Sequence, residues 1–231
     1  MLSVGLTGGL GSGKSTVAVY LRDLGAEIVE ADELGRALME PGQPVFAQIV
    51  EHFGGEVVGS DGRLNRARIA ELAFKQGYLQ ELNAIVHPAV IAAQRHWMRA
   101  VFARNPAAIA VIESALIFEV ERDARARGES EGLLADWRRR FDRIVVVTAP
   151  DELKIARWVA RISPMGVGCA TAEADARARL AFQVADAEKA SHADFVLENC
   201  GNLAALRAET ALLWEKLRHE NNRNLPAGSL E

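Results

Sequence analysis

One stretch near the start of the chain has the residue types and the spacing of a phosphate-binding loop. Residues 8–15 read Gly-Gly-Leu-Gly-Ser-Gly-Lys-Ser and fit the pattern G-x-x-x-x-G-K-S/T. Glycines let backbone N–H groups turn toward an anion, Lys14 can reach the β- and γ-phosphates, and the Ser15 hydroxyl can bind Mg²⁺. The residues predicted to bind the nucleotide are Gly11, Ser12, Gly13, Lys14, Ser15 and Thr16. The alternative is a glycine-rich turn that carries a surface lysine.

Two acidic residues at the ends of predicted strands are the next candidates for chemistry. Asp32 follows the short strand predicted at 27–30, and Glu113 closes the apolar run 108–113. Ligands of open α/β sheets bind beyond the carboxyl ends of the strands, so Asp32 could orient an acceptor hydroxyl or accept its proton. Its alternative role is a helix N-cap, and the two roles are compatible. Glu113 is expected either to help hold Mg²⁺ through water or to serve as a capping or ion-pairing residue.

Arginines that follow the β-branched run 144–148 predict a lid over the triphosphate. Arg157 and Arg161 are four residues apart and therefore share one face of a helix. A planar, permanently charged guanidinium matches phosphoryl oxygens, so both are predicted to act on the transferred group. A surface helix with solvated arginines is the alternative. Asn199, in a polar loop after the last predicted strand, is expected to meet the nucleotide.

The elements that position these residues alternate between strand and helix, except at 41–104. That region is predicted to be a mainly helical insertion, with a small hairpin near 56–58 and a helix that has Pro88 in its first turn. Residues 121–143 carry charges of both signs, which favours a solvated helical face pinned to the core by Trp137 and Phe141.

Composition limits the class of protein. The 231 residues are 49% hydrophobic and 25% charged, which suits one large domain or one core with an inserted subdomain. A net charge of -4 argues against general nucleic-acid binding. The sequence shows no apolar run of membrane-spanning length and no recognisable signal peptide, so we expect a cytoplasmic location. Cys169 and Cys200 have no metal-type spacing and are expected to be reduced.

The ordered motifs resemble those of the dephospho-CoA kinase family along nearly the whole chain. They comprise residues 6–17, 30–32, 40–42, 53–54, 62–66, 87–88, 116–119, 157, 161, 183, 189, 193–194 and 199. Glu30 stands where the family commonly has aspartate, and Glu113 opens a segment that replaces the more usual Asp-x-Pro-Leu. The segments 121–140 and 163–170 are longer than the family usually carries.

The resemblance implies an α/β fold of the P-loop NTPase type: a doubly wound, five-stranded parallel sheet in the order 2-3-1-4-5. It divides the chain into a nucleotide-binding core (1–32, 105–153 and 190–220), a CoA-substrate-binding lobe (33–104) and a lid (154–189). We expect residues 221–231 to form a flexible tail.

The activity implied by the resemblance is ATP-dependent phosphorylation of the ribose 3′-hydroxyl of dephospho-CoA, which gives CoA and ADP. The catalytic residues implied are Asp32, Lys14, Arg157 and Arg161. Asp32, Arg66 and His87 are assigned to the substrate, and Ser15 and Glu113 to Mg²⁺. We expect a monomer or small homo-oligomer with small-molecule partners and no nucleic-acid or membrane partner.

Two other functions remain alternatives. The first is another P-loop kinase that acts on a nucleoside or a nucleoside monophosphate. The second is a nucleotide-dependent switch protein. The absence of an Asn-Lys-x-Asp guanine-reading motif from the sequence disfavours a GTP-dependent switch, and an arginine-bearing lid suits transfer to a second substrate.

Overall fold

The computed structural model describes residues 1–223 and contains one five-stranded parallel sheet. The strands are β1 (Leu2–Thr7), β2 (Glu27–Glu30), β3 (Ile109–Glu113), β4 (Arg143–Thr148) and β5 (Phe195–Glu198). Their order in the sheet is β2-β3-β1-β4-β5, which confirms the predicted topology. Helices cover both faces of the inner strands, which explains why these strands are nearly continuous runs of apolar residues.

The helices divide between the two faces of the sheet and the inserted lobe. Their bounds are α1 (Lys14–Asp23), α2 (Ala31–Leu38), α3 (Pro44–Phe53), α4 (Arg66–Phe74), α5 (Leu79–Arg104), α6 (Ile117–Ala126), α7 (Asp151–Ile162), α8 (Cys169–Phe182), α9 (Asp186–Ser191) and α10 (Leu203–Arg223). α1 and α10 pack on one face of the sheet, and α6 with the second half of α5 packs on the other. Within residues 1–223, no helix is both long and apolar enough to cross a membrane.

The inserted lobe, α2–α5, has a hydrophobic core of its own. Val45, Ile49, Val57 and Leu72 are its buried centre. Where a small hairpin was predicted, the structure has a short 3₁₀ turn at Gly55–Val57 and a single antiparallel bridge between Val58 and Leu64. A separate core allows the lobe to present its own surface beside the carboxyl edge of the sheet.

Pro88 lies in the interior of α5, so the prediction that it opens a helix is wrong. Proline lacks the N–H that would bond to the carbonyl of Ala84, and such a loss costs about 3 kcal/mol. The helix continues because it is packed on both sides of the proline. Ile85 contacts the core of the lobe, and Val101 is buried against the sheet.

The charge-dense segment 121–143 is only partly the solvated helix that was predicted. α6 ends at Ala126, and the chain then runs irregularly to a 3₁₀ turn at Trp137–Arg139. Trp137 and Phe141 are buried, as predicted. Because they anchor the chain on either side of Arg140, that arginine is drawn inside and is only 8% exposed.

The last helix continues into the region predicted to be a tail. α10 runs to Arg223, and the Asn221 amide is buried and donates to the Ala107 carbonyl at 2.7 Å. The predicted tail, 221–231, thus begins inside a helix, and its residues 224–231 lie outside the described residues.

A buried ion pair fastens α9 to α6. The Lys189 ammonium lies 2.8 Å from Glu119 Oε1, and both side chains are almost fully buried. Lys189 also donates to the Ala115 carbonyl at 3.2 Å, and Glu119 Oε1 accepts the Val184 N–H at 2.8 Å. Each charge is therefore compensated by the other and by a backbone group, although Glu119 Oε2 is buried without a hydrogen-bond partner among residues 1–223.

We predict that Lys189→Met lowers the free energy of unfolding by about 3–5 kcal/mol, because it leaves the Glu119 carboxylate buried without its partner. Urea denaturation measures the loss. The control is Arg218→Met, which breaks an exposed pair with Glu215 and should cost less than about 1 kcal/mol. Adding Glu119→Gln to Lys189→Met should recover part of the stability. Equal losses for Lys189→Met and Arg218→Met would contradict the prediction.

Candidate active site

The glycine-rich loop between β1 and α1 forms an anion site at the start of a helix. Gly11 and Gly13 have φ values of 72° and 99°, a left-handed region that favours glycine. Among residues 1–223, the backbone N–H groups of Gly13, Lys14 and Ser15 have no hydrogen-bond acceptor. Free N–H groups at a helix N-terminus, together with the helix dipole, bind phosphate. The loop therefore has the conformation that its sequence predicted.

The carbonyl side of the same loop is held by protein. Arg157 Nη1 donates to the carbonyls of Gly11 and Ser12 at 3.2 and 3.4 Å. The Asn199 amide donates to the Ser12 carbonyl at 2.8 Å, and Arg157 Nη2 donates to Asn199 Oδ1 at 2.9 Å. The structure thus places Arg157 and the buried Asn199 behind the loop, on the side opposite to its free N–H groups.

Close packing adds a second reason for the glycines. A Cβ on Gly11 would collide with the backbone carbonyl of Lys154, and a Cβ on Gly13 would collide with the Asn199 amide. Both neighbours are buried and held by other contacts, so neither can withdraw easily. The loop needs glycine for its dihedral angles and also because α7 and the residue after β5, Asn199, lie so close to it.

Two further residues support the loop, although sequence reasoning gave them no role there. The Gln183 side chain accepts the N–H of Leu10 at 2.9 Å. The Lys154 ammonium is buried beneath the loop and lies 2.8 Å from Asp186 and 2.7 Å from Asp151. In the sequence, position 183 stood out only through the family resemblance, and position 154 only as the start of the predicted lid.

Ser15, Lys14 and Glu113 meet at the end of β3. The Ser15 hydroxyl donates to Glu113 Oε1 at 3.3 Å, and the Lys14 ammonium lies 3.6 Å from the same oxygen. Burial raises the pKa of Glu113; Lys14 opposes this shift, and Glu30 and Asp32 add to it. Hydroxyl and carboxylate oxygens are ligands that suit Mg²⁺. Residues 1–223 contain no cluster of three or more ligand side chains, so phosphate and water oxygens would have to complete the shell.

Asp32 lines a cavity of about 350 Å³ between α2, α5 and the residues after β3. We call it the acceptor pocket. Asp32 is the second residue of α2, and the helix-capping position belongs to Glu30. Its exposed carboxylate has no hydrogen-bond partner among residues 1–223, so the N-cap role is not realised. The carboxylate is free to meet a ligand.

His87 is buried at the wall of the acceptor pocket. Burial lowers its pKa to about 4, so the ring is neutral at physiological pH. Its Nδ1 is buried and lacks a partner within residues 1–223. A neutral imidazole with an unused ring nitrogen can exchange one hydrogen bond with a ligand.

The other predicted site residues lie farther from the loop. Arg66 is exposed in a second cleft of about 850 Å³, together with Arg36 and Arg63, and Arg36 also lines the acceptor pocket. Arg161 is exposed and its guanidinium lies 4.3 Å from the ring of Trp158. The structure therefore places Arg66 in the inserted lobe, and Arg161 makes no hydrogen bond with the loop among residues 1–223.

Comparisons with known proteins point to one family. The family model for dephospho-CoA kinase matches residues 2–129 and 131–205. A dephospho-CoA kinase of Anaeromyxobacter dehalogenans is 39% identical over 227 residues, which span 98% of this chain and 97% of the relative. A dephospho-CoA kinase of Moorella thermoacetica is 35% identical over 231 residues and 99% of each chain.

Two solved structures share the fold. A Thermus thermophilus protein has a TM-score of 0.67 at 31% identity and covers 93% of this chain and 97% of its own. A dephospho-CoA kinase from Campylobacter jejuni has a TM-score of 0.61 at 19% identity, with coverages of 95% and 98%.

We predict that Gly11→Ala abolishes ATP binding, because its methyl group would displace α7 from the loop. Gly128 is the matched control: it also has a positive φ, but no other group lies within 4 Å of the point where an added methyl group would sit. Gly128→Ala should cost about 1–2 kcal/mol of stability and leave ATP affinity unchanged. Calorimetric titration with ATP distinguishes the two variants. Intact ATP affinity in Gly11→Ala would contradict the close-packing argument.

The pKa of His87 leads to a prediction about stability and pH. Because the pKa falls from 6.5 unfolded to about 4 folded, its contribution is complete above pH 6.5 and is lost as the pH falls toward 4. His87→Asn should therefore reduce the stability difference between pH 7 and pH 4 by about 3 kcal/mol. The control is His52→Asn, at an exposed histidine. Chemical denaturation at pH 7 and pH 4 measures the stability difference. A His87→Asn variant with the same stability difference as the wild type would contradict the prediction.

Proposed function

The chain belongs to the dephospho-CoA kinase family, and from this membership we propose how its own residues carry out the reaction. It is a kinase that transfers a phosphoryl group from ATP to dephospho-CoA in coenzyme A biosynthesis. One observation supports the separate roles proposed for the loop and for Asp32. Glu113 touches Ser15 and Lys14 of the loop, and the next residue, Ser114, lines the acceptor pocket together with Asp32. The proposed triphosphate site and the acceptor pocket would therefore adjoin at the end of β3.

We propose that the free N–H groups of residues 13–15 and the Lys14 ammonium bind the β- and γ-phosphates of ATP. In this role Lys14 neutralises charge that builds on the transferred group. Ser15 would hold Mg²⁺ directly and Glu113 would hold it through water. When bound, the ion supplies positive charge to the phosphate oxygens.

Asp32 is proposed to align the ribose 3′-hydroxyl of dephospho-CoA and to accept its proton. Two features support this role: its carboxylate is unpartnered among the described residues, and it lines a mainly apolar cavity beside the loop. His87 would donate or accept one hydrogen bond at the wall of that cavity. Arg66, Arg63 and Arg36 line the adjoining cleft, where guanidinium groups suit the diphosphate of the substrate.

The two arginines of α7 are proposed to act in different ways. Arg157 is a positioning residue, because it donates to two carbonyls of the loop and does not face its free N–H groups. Asn199, the residue that follows β5, would assist it. Arg161 is proposed to reach the γ-phosphoryl group only when the C-terminal end of α7, beyond Arg157, moves with α8 as a lid. Its exposed guanidinium packs on the Trp158 ring, and breaking this exposed cation–π contact would cost little free energy.

We further propose that the enzyme works in the cytoplasm as a monomer or small homo-oligomer, with ATP and dephospho-CoA as its partners. Cys169 and Cys200 are both free thiols, as suits a reducing compartment. Size-exclusion chromatography with light scattering tests the oligomeric state.

An acceptor panel tests the proposed substrate against the nearest rival. ADP release is measured with dephospho-CoA, with a nucleoside and with a nucleoside monophosphate as acceptor. Dephospho-CoA should exceed the others by orders of magnitude in kcat/KM. Equal or better transfer to a nucleoside monophosphate would assign the chain's activity to that rival class.

We predict that Asp32→Asn lowers kcat by about 10²- to 10⁴-fold, because the amide cannot accept the proton. ATP affinity should stay nearly intact. Glu33→Gln is the matched control, since Glu33 is the next residue of the same helical turn and does not line the acceptor pocket. A coupled ADP-release assay measures both variants. Wild-type turnover in Asp32→Asn would remove Asp32 from the chemistry.

A further inference from the structure

A third cavity adjoins the acceptor pocket and lies between α5 and residues 133–140. Its volume is about 220 Å³. Four arginines line it, and none of its lining residues is acidic: Arg95, Arg99, Arg139 and Arg140. We propose that this arginine cleft binds a small phosphorylated molecule, and that its occupancy changes the binding of the acceptor substrate.

Arg95 and Arg99 also line a neighbouring cavity with Glu129 and Glu131, but among residues 1–223 no carboxylate lies within ion-pair distance of either guanidinium. Arg95 and Arg99 are four residues apart on α5 and therefore lie on the same face. Both are exposed, and neither forms an ion pair or a side-chain hydrogen bond with any residue between 1 and 223. Arg139 has only a loose pair with Asp136, at 3.7 Å. Like charges that share a cleft repel, and a phosphate would turn this repulsion into charge-assisted hydrogen bonds.

Arg140 supplies an independent indication of a ligand. Its side chain is only 8% exposed, yet it makes a single side-chain hydrogen bond within residues 1–223, from Nη2 to the Ile117 carbonyl at 2.8 Å. Its Nε is buried without a partner in that part of the chain. Glu121 and Asp136 are the acidic residues whose charges act on Arg140, but neither forms a hydrogen bond with it. A buried guanidinium with one N–H left without an acceptor is costly, and an anion in the cleft would compensate it. Burial lowers its pKa only to about 10, so the group is charged at neutral pH.

The remaining wall of the cleft is apolar. Ile91, Met98, Phe102 and Leu133 form this part. A ligand that fills the cleft would therefore carry an apolar or aromatic group beside its phosphate. The volume is below the roughly 300–1,000 Å³ of drug-sized sites, so the ligand is smaller than dephospho-CoA.

The cleft shares a wall with the acceptor pocket. Ile91, Gln94 and Arg140 line both cavities. An anion that binds the Arg140 guanidinium from the cleft therefore acts on the wall that the acceptor substrate contacts. Because the phosphate-binding loop is not part of this wall, the effect should fall on dephospho-CoA and not on ATP. This coupling rests on the proposed function of the acceptor pocket, whereas the binding site itself does not.

Calorimetric titration with phenyl phosphate tests the binding site. The titration uses Lys14→Ala protein, so that the phosphate-binding loop competes less. Adding Arg95→Ala and Arg99→Ala should weaken binding by about a hundredfold, since each charge-assisted contact contributes about tenfold. Arg104→Ala is the matched control, because Arg104 is an exposed arginine of the same helix outside the cleft. Unchanged affinity in the double Arg→Ala variant, or no binding to any of these proteins, would overturn the proposal.

Steady-state kinetics of the enzyme with an intact loop test the coupling. Phenyl phosphate should raise the KM for dephospho-CoA by about tenfold and leave the KM for ATP unchanged. The Arg95→Ala/Arg99→Ala enzyme should keep its basal kcat and lose this sensitivity. Competition with ATP, or equal sensitivity in the double variant, would contradict the coupling. Binding without any change in KM would do the same. If the enzyme failed to phosphorylate dephospho-CoA at all, the calorimetric result would still decide the binding site.

Discussion

The candidate active site depends on the orientation of a few peptide groups in one loop. Arg157 and Asn199 donate hydrogen bonds to the carbonyls of the loop. Three consecutive N–H groups of the loop have no hydrogen-bond partner among the described residues. Unpaired N–H groups at a helix start are costly in a folded protein unless water or an anion compensates them. The structure therefore holds the loop in a shape that only an added acceptor completes.

This constraint explains the arrangement of the surrounding elements. α7 crosses so close behind the loop that Gly11 meets the Lys154 backbone, and β5 ends where Asn199 can reach Ser12. Strand β3 ends at Glu113, which adjoins Ser15. The inserted lobe then sets Asp32 and a mainly apolar cavity next to these groups. A phosphoryl donor and an alcohol acceptor would thus meet at the carboxyl edge of the sheet, as is usual for open α/β folds.

Much of the fold could be predicted from local patterns, because the loop motif, apolar strands and helical periodicity are encoded over short stretches. The sheet order and the place of Asp32 followed from these patterns and from the family resemblance. The supporting contacts could not be predicted in this way. The Gln183 side chain accepts the N–H of Leu10, which is far away in sequence. Arg140 is buried although it lies in a run of mixed charges that is typical of a solvated surface. The prediction that Pro88 lies in the first turn of a helix was wrong because tertiary packing outweighs the local preference of proline.

The position of the sugar hydroxyl relative to Asp32 is the most direct test of the central claim. A crystal structure with dephospho-CoA and a non-hydrolysable ATP analogue would measure it. The account predicts that the γ-phosphate lies on the free N–H groups of the loop and that an Asp32 carboxylate oxygen lies about 2.6–3.2 Å from the ribose 3′-oxygen. A ribose bound elsewhere, or an Asp32 side chain turned away from it, would contradict the account.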